Sequence, residues 1–339
     1  MKHIKFLGIP FSAGQPLCGV EHAPDILRNE LRNDELEIDD LGDLDFSLCG
    51  EHTSGIIKNE KLCGLGNALI SEVIAGENLK DSFLLNVGGD HGLALGTIHG
   101  LLHHYPDLIV VWVDAHGDIN TPLSSSSGNF HGMPLSFLMN GCQGREDFQW
   151  LRKRLPANRL IYMGPRDLDS EEKAIIEDAG IQYYSSDDIN EFGSELLLQH
   201  ALRIADPERK CRIHLSFDVD VFDGNDVEAT GTRVMNGPRR NEILKLGSLL
   251  GQTGRLVSMD LVEINPDIAQ VDKVSETIQL SLQFTLGVLN NLVSEKSEEK
   301  KSRDNALLFH RTTDVPYPVR MRNYQSHCFS EPYGHLCHL

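Results

Sequence analysis

Six short apolar runs constrain this chain more than any other feature. They are IKFLGI at 4–9, FLLNV at 83–87, LIVVWV at 108–113, RLIYMG at 159–164, RIHLSF at 212–217 and RLVSM at 255–259. Each has the length of a strand and reads as a strand buried on both faces. Stretches of helical period lie between them. Residues 25–32 carry Ile26, Leu27 and Leu31, and 92–102 and 190–204 are helix-like. In 272–292, Val274, Ile278, Leu282, Leu286 and Leu289 share one face. Strand and helix in alternation predict an α/β fold, a parallel sheet with helices on both sides.

No internal repeat and no domain boundary interrupts residues 1–293, which read as one domain. The charge run SEKSEEKKSRDN at 294–305 reads as a solvated linker. The tail beyond it is irregular, but Leu307, Leu308, Phe309, Tyr317, Tyr324, Phe329 and Tyr333 alternate with Arg311, Arg320 and Arg322. Aromatic and arginine enrichment is the composition of an interface, so this tail is expected to pack on its own or a neighbouring subunit. The formal charge of −19 argues against nucleic acid or an anionic membrane as partner and suits a cationic substrate. No apolar run approaches the roughly 20 residues of a bilayer span. The seven cysteines are scattered without CxxC spacing, and the N-terminal MKHIKFLGIPFSAG reads as strand and loop rather than a targeting segment. Both point to a cytoplasmic protein with reduced thiols.

Ligands of open α/β sheets bind beyond the carboxyl ends of the strands. Three of the runs end there in acids and imidazoles. FLLNVGGDHG delivers Asp90 and His91, LIVVWVDAHGD delivers Asp114, His116 and Asp118, and HLSFDVDVFD delivers Asp218 and Asp220. On an extended backbone, residues two apart point the same way, so each set converges. Asp90 taken alone is an ordinary helix N-cap. A single DxD also serves sugar nucleotides or one Mg²⁺, and a single HxD is as often structural as catalytic. Three such ends together point to a shared metal site. The remaining six groups, four carboxylates and two imidazoles, exceed what one catalytic ion needs. Oxygen donors mixed with imidazole suit Mn²⁺ or Fe²⁺, and shared carboxylates can bridge two ions about 3.5–4 Å apart. Asn120, Ser125, Ser127 and Asn129 follow in a loop that is either a plain surface loop or a polar rim for a charged substrate head. His131 closes that loop as a structural histidine or as a general acid or proton shuttle.

Taken together, GGDHG at 88–92, VDAHGDINTP at 113–122, SGNFHG at 127–132, SFDVD at 216–220 and MDLVEINP at 259–266 resemble the ureohydrolase family. The opening GIPFSAGQPLCGVEHAP, the 120–131 loop and GPRDLD at 164–169 resemble its arginase branch, and the likeness runs from about residue 5 to about residue 292. The resemblance implies a three-layer α/β/α fold, a mainly parallel sheet and two Mn²⁺ per subunit. One ion would take His91, Asp114, Asp118 and Asp218; the other would take His116, Asp114, Asp218 and Asp220, with Asp114 and Asp218 bridging. It further implies that Asn120, Ser127 and Asp169 hold the amino-acid end of a substrate, with Ser125 and Glu172 near it. Thr232 and Glu263 would line the guanidinium side, His131 would move protons, and Asp167 would support the site. The implied reaction is cleavage of L-arginine to L-ornithine and urea by a metal-bridging hydroxide attacking the guanidinium carbon. In it Asp118 handles the proton and Glu263 orients the guanidinium. A homotrimer is implied as well. Agmatinase or another guanidino-acid ureohydrolase is the near alternative. A deacetylase built on one Zn²⁺ and a non-catalytic binding protein are the distant ones. Three positions depart from the family pattern: Gly92 where Ser is common, Gly117 where Thr or Ala is common, and Arg233 where Pro is common. The two glycines are expected to loosen the backbone beside metal ligands.

Overall fold

The computed structural model describes residues 2–32, 36–49 and 53–292. The linker and tail, and with them the expected tail packing, lie outside the described residues. In chain order the strands are β1 (His3–Ile9), β2 (Ile38–Asp43), β3 (Ser82–Gly88), β4 (Ile109–Val113), β5 (Leu160–Met163), β6 (Gln182–Tyr184), β7 (Ile213–Asp218) and β8 (Leu256–Val262). The helices are α1 (Ala23–Leu31), α2 (Glu60–Gly76), α3 (Ala94–His104), α4 (Pro134–Asn140), α5 (Ser170–Asp178), α6 (Ser186–Phe192), α7 (Ser194–Ala205), α8 (Arg240–Gln252) and α9 (Val271–Leu289).

The strands form one sheet in the order β2-β1-β3-β8-β7-β4-β5-β6, and every pairing is parallel. All six apolar runs are strands. The two strands that no apolar run announces, β2 (IDDLGD) and β6 (QYY), are the two edges of the sheet. Both are partly solvated; β2 carries aspartates that block further pairing and β6 is only three residues long, so neither shows an apolar run. The helix expected at 190–204 is two helices separated at Gly193, and α9 ends at Leu289.

Strand residues alternate between two cores, giving three layers. On one face Phe6, Leu85, Val111, Ile161, Leu215, Phe217 and Leu261 pack under α1, α6, α7, α8 and α9. On the other, Leu7, Leu84, Val110, Trp112, Tyr162 and Val257 pack under α2, α3, α4 and α5. The strand order turns back on itself around β3, β8, β7 and β4. A crevice opens beyond the carboxyl ends of strands at such a reversal. The loops that follow these four strands, with the loop after β1, build the site.

Candidate metal centre and substrate rim

His91 opens a 3₁₀ turn directly after β3, Asp114 follows β4, and Asp218 is the last residue of β7. His91 Nδ1 stands 2.9 Å from Asp114 Oδ2, 3.1 Å from Asp118 Oδ2 and 3.2 Å from Asp218 Oδ2. His116 Nδ1 stands 3.0 Å from Asp220 Oδ2 and 3.4 Å from Asp114 Oδ1. Two ligand groups result: His91, Asp114 and Asp218, and Asp114, His116 and Asp220. Asp114 belongs to both, with one oxygen facing each histidine.

These residues fit divalent cations. His91 is 1% exposed, and its Nδ1 makes no hydrogen bond although three carboxylate oxygens surround it. Its Nε2 lies 2.9 Å from Ser216 Oγ, and its ring stacks on Trp112 at 3.9 Å. With Nε2–H donating to Ser216, the bare Nδ1 lone pair is turned toward the carboxylates, an arrangement that a cation between them makes favourable. The Trp112 indole N–H donates to Asp114 Oδ2 at 3.0 Å, and the backbone N–H of Asp220 donates to Asp218 Oδ1 at 2.8 Å. Four buried carboxylates this close are costly to ionise together without positive charge. The proton affinities show that crowding. Burial and the Asp220 and Asp114 charges hold the Asp218 carboxyl well above its ordinary range. Burial and Asp114 push Asp118 up to about 6. Asp114 goes the other way, because its two histidine partners outweigh its burial.

A second cluster adjoins the first. Glu263, just past β8, accepts the His91 backbone N–H at 2.8 Å and faces His131 Nδ1 at 3.0 Å, both on Oε1. Burial lowers the His131 proton affinity, but the bond to Glu263 and the charges of Glu263, Asp118 and Asp90 outweigh it and carry the pKa to about 9. Pairing with Glu263 favours the protonated form of His131. Asp118 (φ 49°) and Glu263 (φ 65°) both hold left-handed backbone, which is uncommon outside glycine and concentrates at functional sites. Thr232 donates its hydroxyl to Asp220 Oδ2 at 3.1 Å.

The rim is partly assembled. Asn120 Nδ2 donates to Asp169 Oδ2 at 2.8 Å. Asp169 caps α5 in a capping box with Glu172, which is buried against Asp118 and pushed up to about 7 by burial and by the charges of Asp118 and Asp169. Ser125 and Ser127 pair with each other at 3.4 Å and accept the Gly128 and Asn129 backbone N–H groups, so they hold their own loop. Ser124, which the sequence did not single out, donates to Asn120 Oδ1 at 2.7 Å. Asp167 Oδ2 lies 3.9 Å from His116 Nε2 at the surface, and Arg233 pairs with Glu228 at 3.1 Å.

Neither Gly92 nor Gly117 has left-handed backbone. A Cβ on Gly92 would lie 2.7 Å from Asp90 Oδ1, and one on Gly117 would lie 2.9 Å from Glu172 Oε1. At either position a side chain would crowd a neighbouring carboxylate, that of Asp90 or of Glu172. Asp90 is indeed an N-cap, accepting from the Gly92 N–H at 2.9 Å, but it also accepts the Gly14 N–H at 2.7 Å. Trp112, Ser216 and Gln15 touch site residues and were not visible as such. Trp112 and Ser216 sit inside apolar runs, where their period-2 position facing the β3 and β4 ends was the available signal.

The arginase family model matches residues 2–288. Human mitochondrial arginase-2 is 38% identical over 285 residues, covering 81% of this chain and 80% of that protein. Human arginase-1 is 36% identical over 294 residues, covering 84% and 91%. Among solved structures, the arginase of Bacillus subtilis superposes with a TM-score of 0.72 at 31% identity, over 84% of this chain and 99% of that one. The Entamoeba histolytica arginase complexed with L-ornithine superposes with a TM-score of 0.75 at 28% identity, over 85% and 100%. The chain belongs to the arginase family.

Proposed function

We propose that this protein hydrolyses L-arginine to L-ornithine and urea with two Mn²⁺ per subunit. The observation that carries the reading is the pair of ligand groups sharing Asp114, set beside the His131–Glu263 pair in a chain of this family. Hard oxygen donors with one imidazole per group suit Mn²⁺. His91, Asp114, Asp118 and Asp218 would hold one ion, and His116, Asp114, Asp218 and Asp220 the other. Such a pair would lower the pKa of a water from about 15.7 towards about 7 and so supply a nucleophile at neutral pH.

The chain's own residues do the rest. Glu263 offers its carboxylate to the guanidinium, keeping it charged and turned for attack. Asp118, itself one of the residues that would hold the first ion, would accept the proton of the attacking water and pass it to the leaving amine. His131, partly exposed and bonded to Glu263, carries protons between solvent and site. Asn120 and Asp169, joined at the rim, read the α-carboxylate and α-amine of the substrate together with Ser127.

Comparing L-arginine with agmatine tests this. A substrate lacking a group that these polar residues read loses those contacts and is discriminated against. Agmatine, without the α-carboxylate, is expected to be a very poor substrate. Similar kcat/KM values for the two would overturn the arginine reading in favour of an agmatinase.

A further inference from the structure

Glu263 has more to hold it than His131. Its Oε1 is occupied twice, by the His91 backbone N–H and by His131 Nδ1. Its Oε2 accepts from one side chain, the amide of Gln15, at 2.8 Å. Gln15 is 5% exposed and 248 residues away in sequence. A carboxylate offers about four lone-pair directions. Three are taken here, so a single direction, on Oε2, is left for a guanidinium N–H. The terminal torsion of a glutamate is broad and weakly restrained by itself. The two bonds on Oε1 anchor one end of the carboxylate, and Gln15 is the group that fixes Oε2, from which the remaining lone pair points.

The loop bearing Gln15 is built to keep it there. The Gly14 N–H donates to Asp90 Oδ2, and the Gly14 carbonyl accepts the His131 backbone N–H at 3.1 Å. A Cβ on Gly14 would fall 2.4 Å from Asp90 Oδ1 and 2.9 Å from His131 N, so the loop closes on these partners only with glycine. The Ala13 carbonyl, one residue earlier, accepts the Asn59 amide at 2.9 Å. On the far side, the other end of the same amide, Gln15 Oε1, faces Gly231, the neighbour of Thr232; a Cβ there would stand 3.3 Å away. Gln15 thus spans the gap between Glu263 and the loop whose Thr232 bonds Asp220.

We propose that Gln15 is a positioning residue that sets the guanidinium-binding orientation of Glu263, and that it contributes to recognition of the guanidinium end of the substrate alone. This rests on the arginine-hydrolysing reading above. An error of about 1 Å in a catalytic group costs on the order of 10²-fold in rate, and loss of a supporting hydrogen bond about 10–100-fold.

Gln15→Met keeps the volume and removes the amide. In the manganese-loaded enzyme, kcat/KM for L-arginine should fall about 10–100-fold. Inhibition by L-ornithine, which has no guanidinium, should stay within about twofold, and metal content and melting temperature should match the parent. In a Glu263→Gln background the same substitution should add little, because its effect passes through the Glu263 carboxylate. Should Gln15→Met lose metal or melt early, Gln15→Asn serves for the same comparison, since its amide is one methylene too short to reach Oε2. An unchanged kcat/KM overturns the proposal, as does a parallel weakening of L-ornithine. A parent enzyme inactive on L-arginine but active on another guanidino compound refutes the substrate reading instead; the Gln15 comparison is then made on that compound.

Discussion

The two faces of the central sheet are equally buried and chemically unlike. On β7, Ile213, Leu215 and Phe217 face the α7–α9 side, while His214, Ser216 and Asp218 face the α2–α4 side. None of these six is more than 2% exposed. The first face is an ordinary apolar core, in which the Phe217 ring stacks on Phe284 at 3.7 Å. The second holds a polar column beneath the metal centre. His214 Nδ1 meets Ser258 Oγ at 2.8 Å, and Asp260 accepts from the Asn86 amide at 2.7 Å and the Thr97 hydroxyl at 2.6 Å. The contrast teaches that burial alone does not say what a residue is for. One face gains stability from apolar contact. The other buries polar groups, most of them hydrogen-bonded, and leads to the two candidate ligand groups around His91 and His116.

The sharpest break between the faces comes at two consecutive residues. Asp218→Ala removes a group that faces His91 and is read as bridging both ions. Losing the ions gives up roughly nine pK units of nucleophile activation. Urea release should drop below detection, and elemental analysis should find fewer than two ions per chain. Two tightly held ions in Asp218→Ala would end the bridging role. Phe217→Ala should do the reverse, costing about 3–5 kcal/mol of stability while the folded fraction keeps its metal. Denaturant titration of both variants at fixed Mn²⁺ checks the pair.

His131→Asn sharpens the comparison within the polar face. It removes a proton carrier but no proposed ligand, so turnover should fall about 10²–10⁴-fold with both ions retained. Metal loss in this variant would place His131 among the ligands instead. Thr97→Val probes deeper in the same column. It deletes one donor to Asp260, and the cost should be about 1–3 kcal/mol of stability with kcat and metal content unchanged. A fall in kcat without a fall in stability would mean that the column tunes the site rather than supporting it.

The residues of the two candidate ligand groups were legible in the sequence because they follow the strands β3, β4 and β7, which are apolar enough to be seen. The edges β2 and β6 were not seen, since half-solvated strands carry no apolar run. The polar column was hidden for a different reason. His214, Ser216 and Ser258 alternate with apolar residues as a solvent-facing strand side would, and only the packing of helices over them makes them interior. Gln15 gives no local signal at all. Its meaning depends on a partner 248 positions away and on a glycine whose missing side chain lets the loop close.

The smallest effect lies outside the site but on the same face. His99 on α3 is buried, with Nδ1 2.7 Å from Ser71 Oγ on α2. Its Nε2 accepts two backbone N–H groups, those of Arg152 and Lys153, each at 3.1 Å. Nε2 must therefore be bare, and Nδ1–H donates to Ser71. Burial, reinforced by the nearby positive charges of His103, Arg154 and Lys153, lowers the His99 pKa from 6.5 to about 4. In the unfolded chain it titrates near its ordinary 6.5. Between those values the unfolded state binds the extra proton, so stability rises with pH across the window. The contribution is fully present above about 6.5 and is lost as pH falls toward about 4. One proton limits the slope to at most about 1.4 kcal/mol per pH unit. His99→Gln cannot take up that proton, so its stability should fall less than the parent's on acidification from pH 6.5 to 4.5. Subtracting the two denaturation curves removes the larger acid response of the carboxylates around His91 and His116, which both proteins share. If the difference between parent and variant does not change with pH, His99 is not held neutral by this clasp.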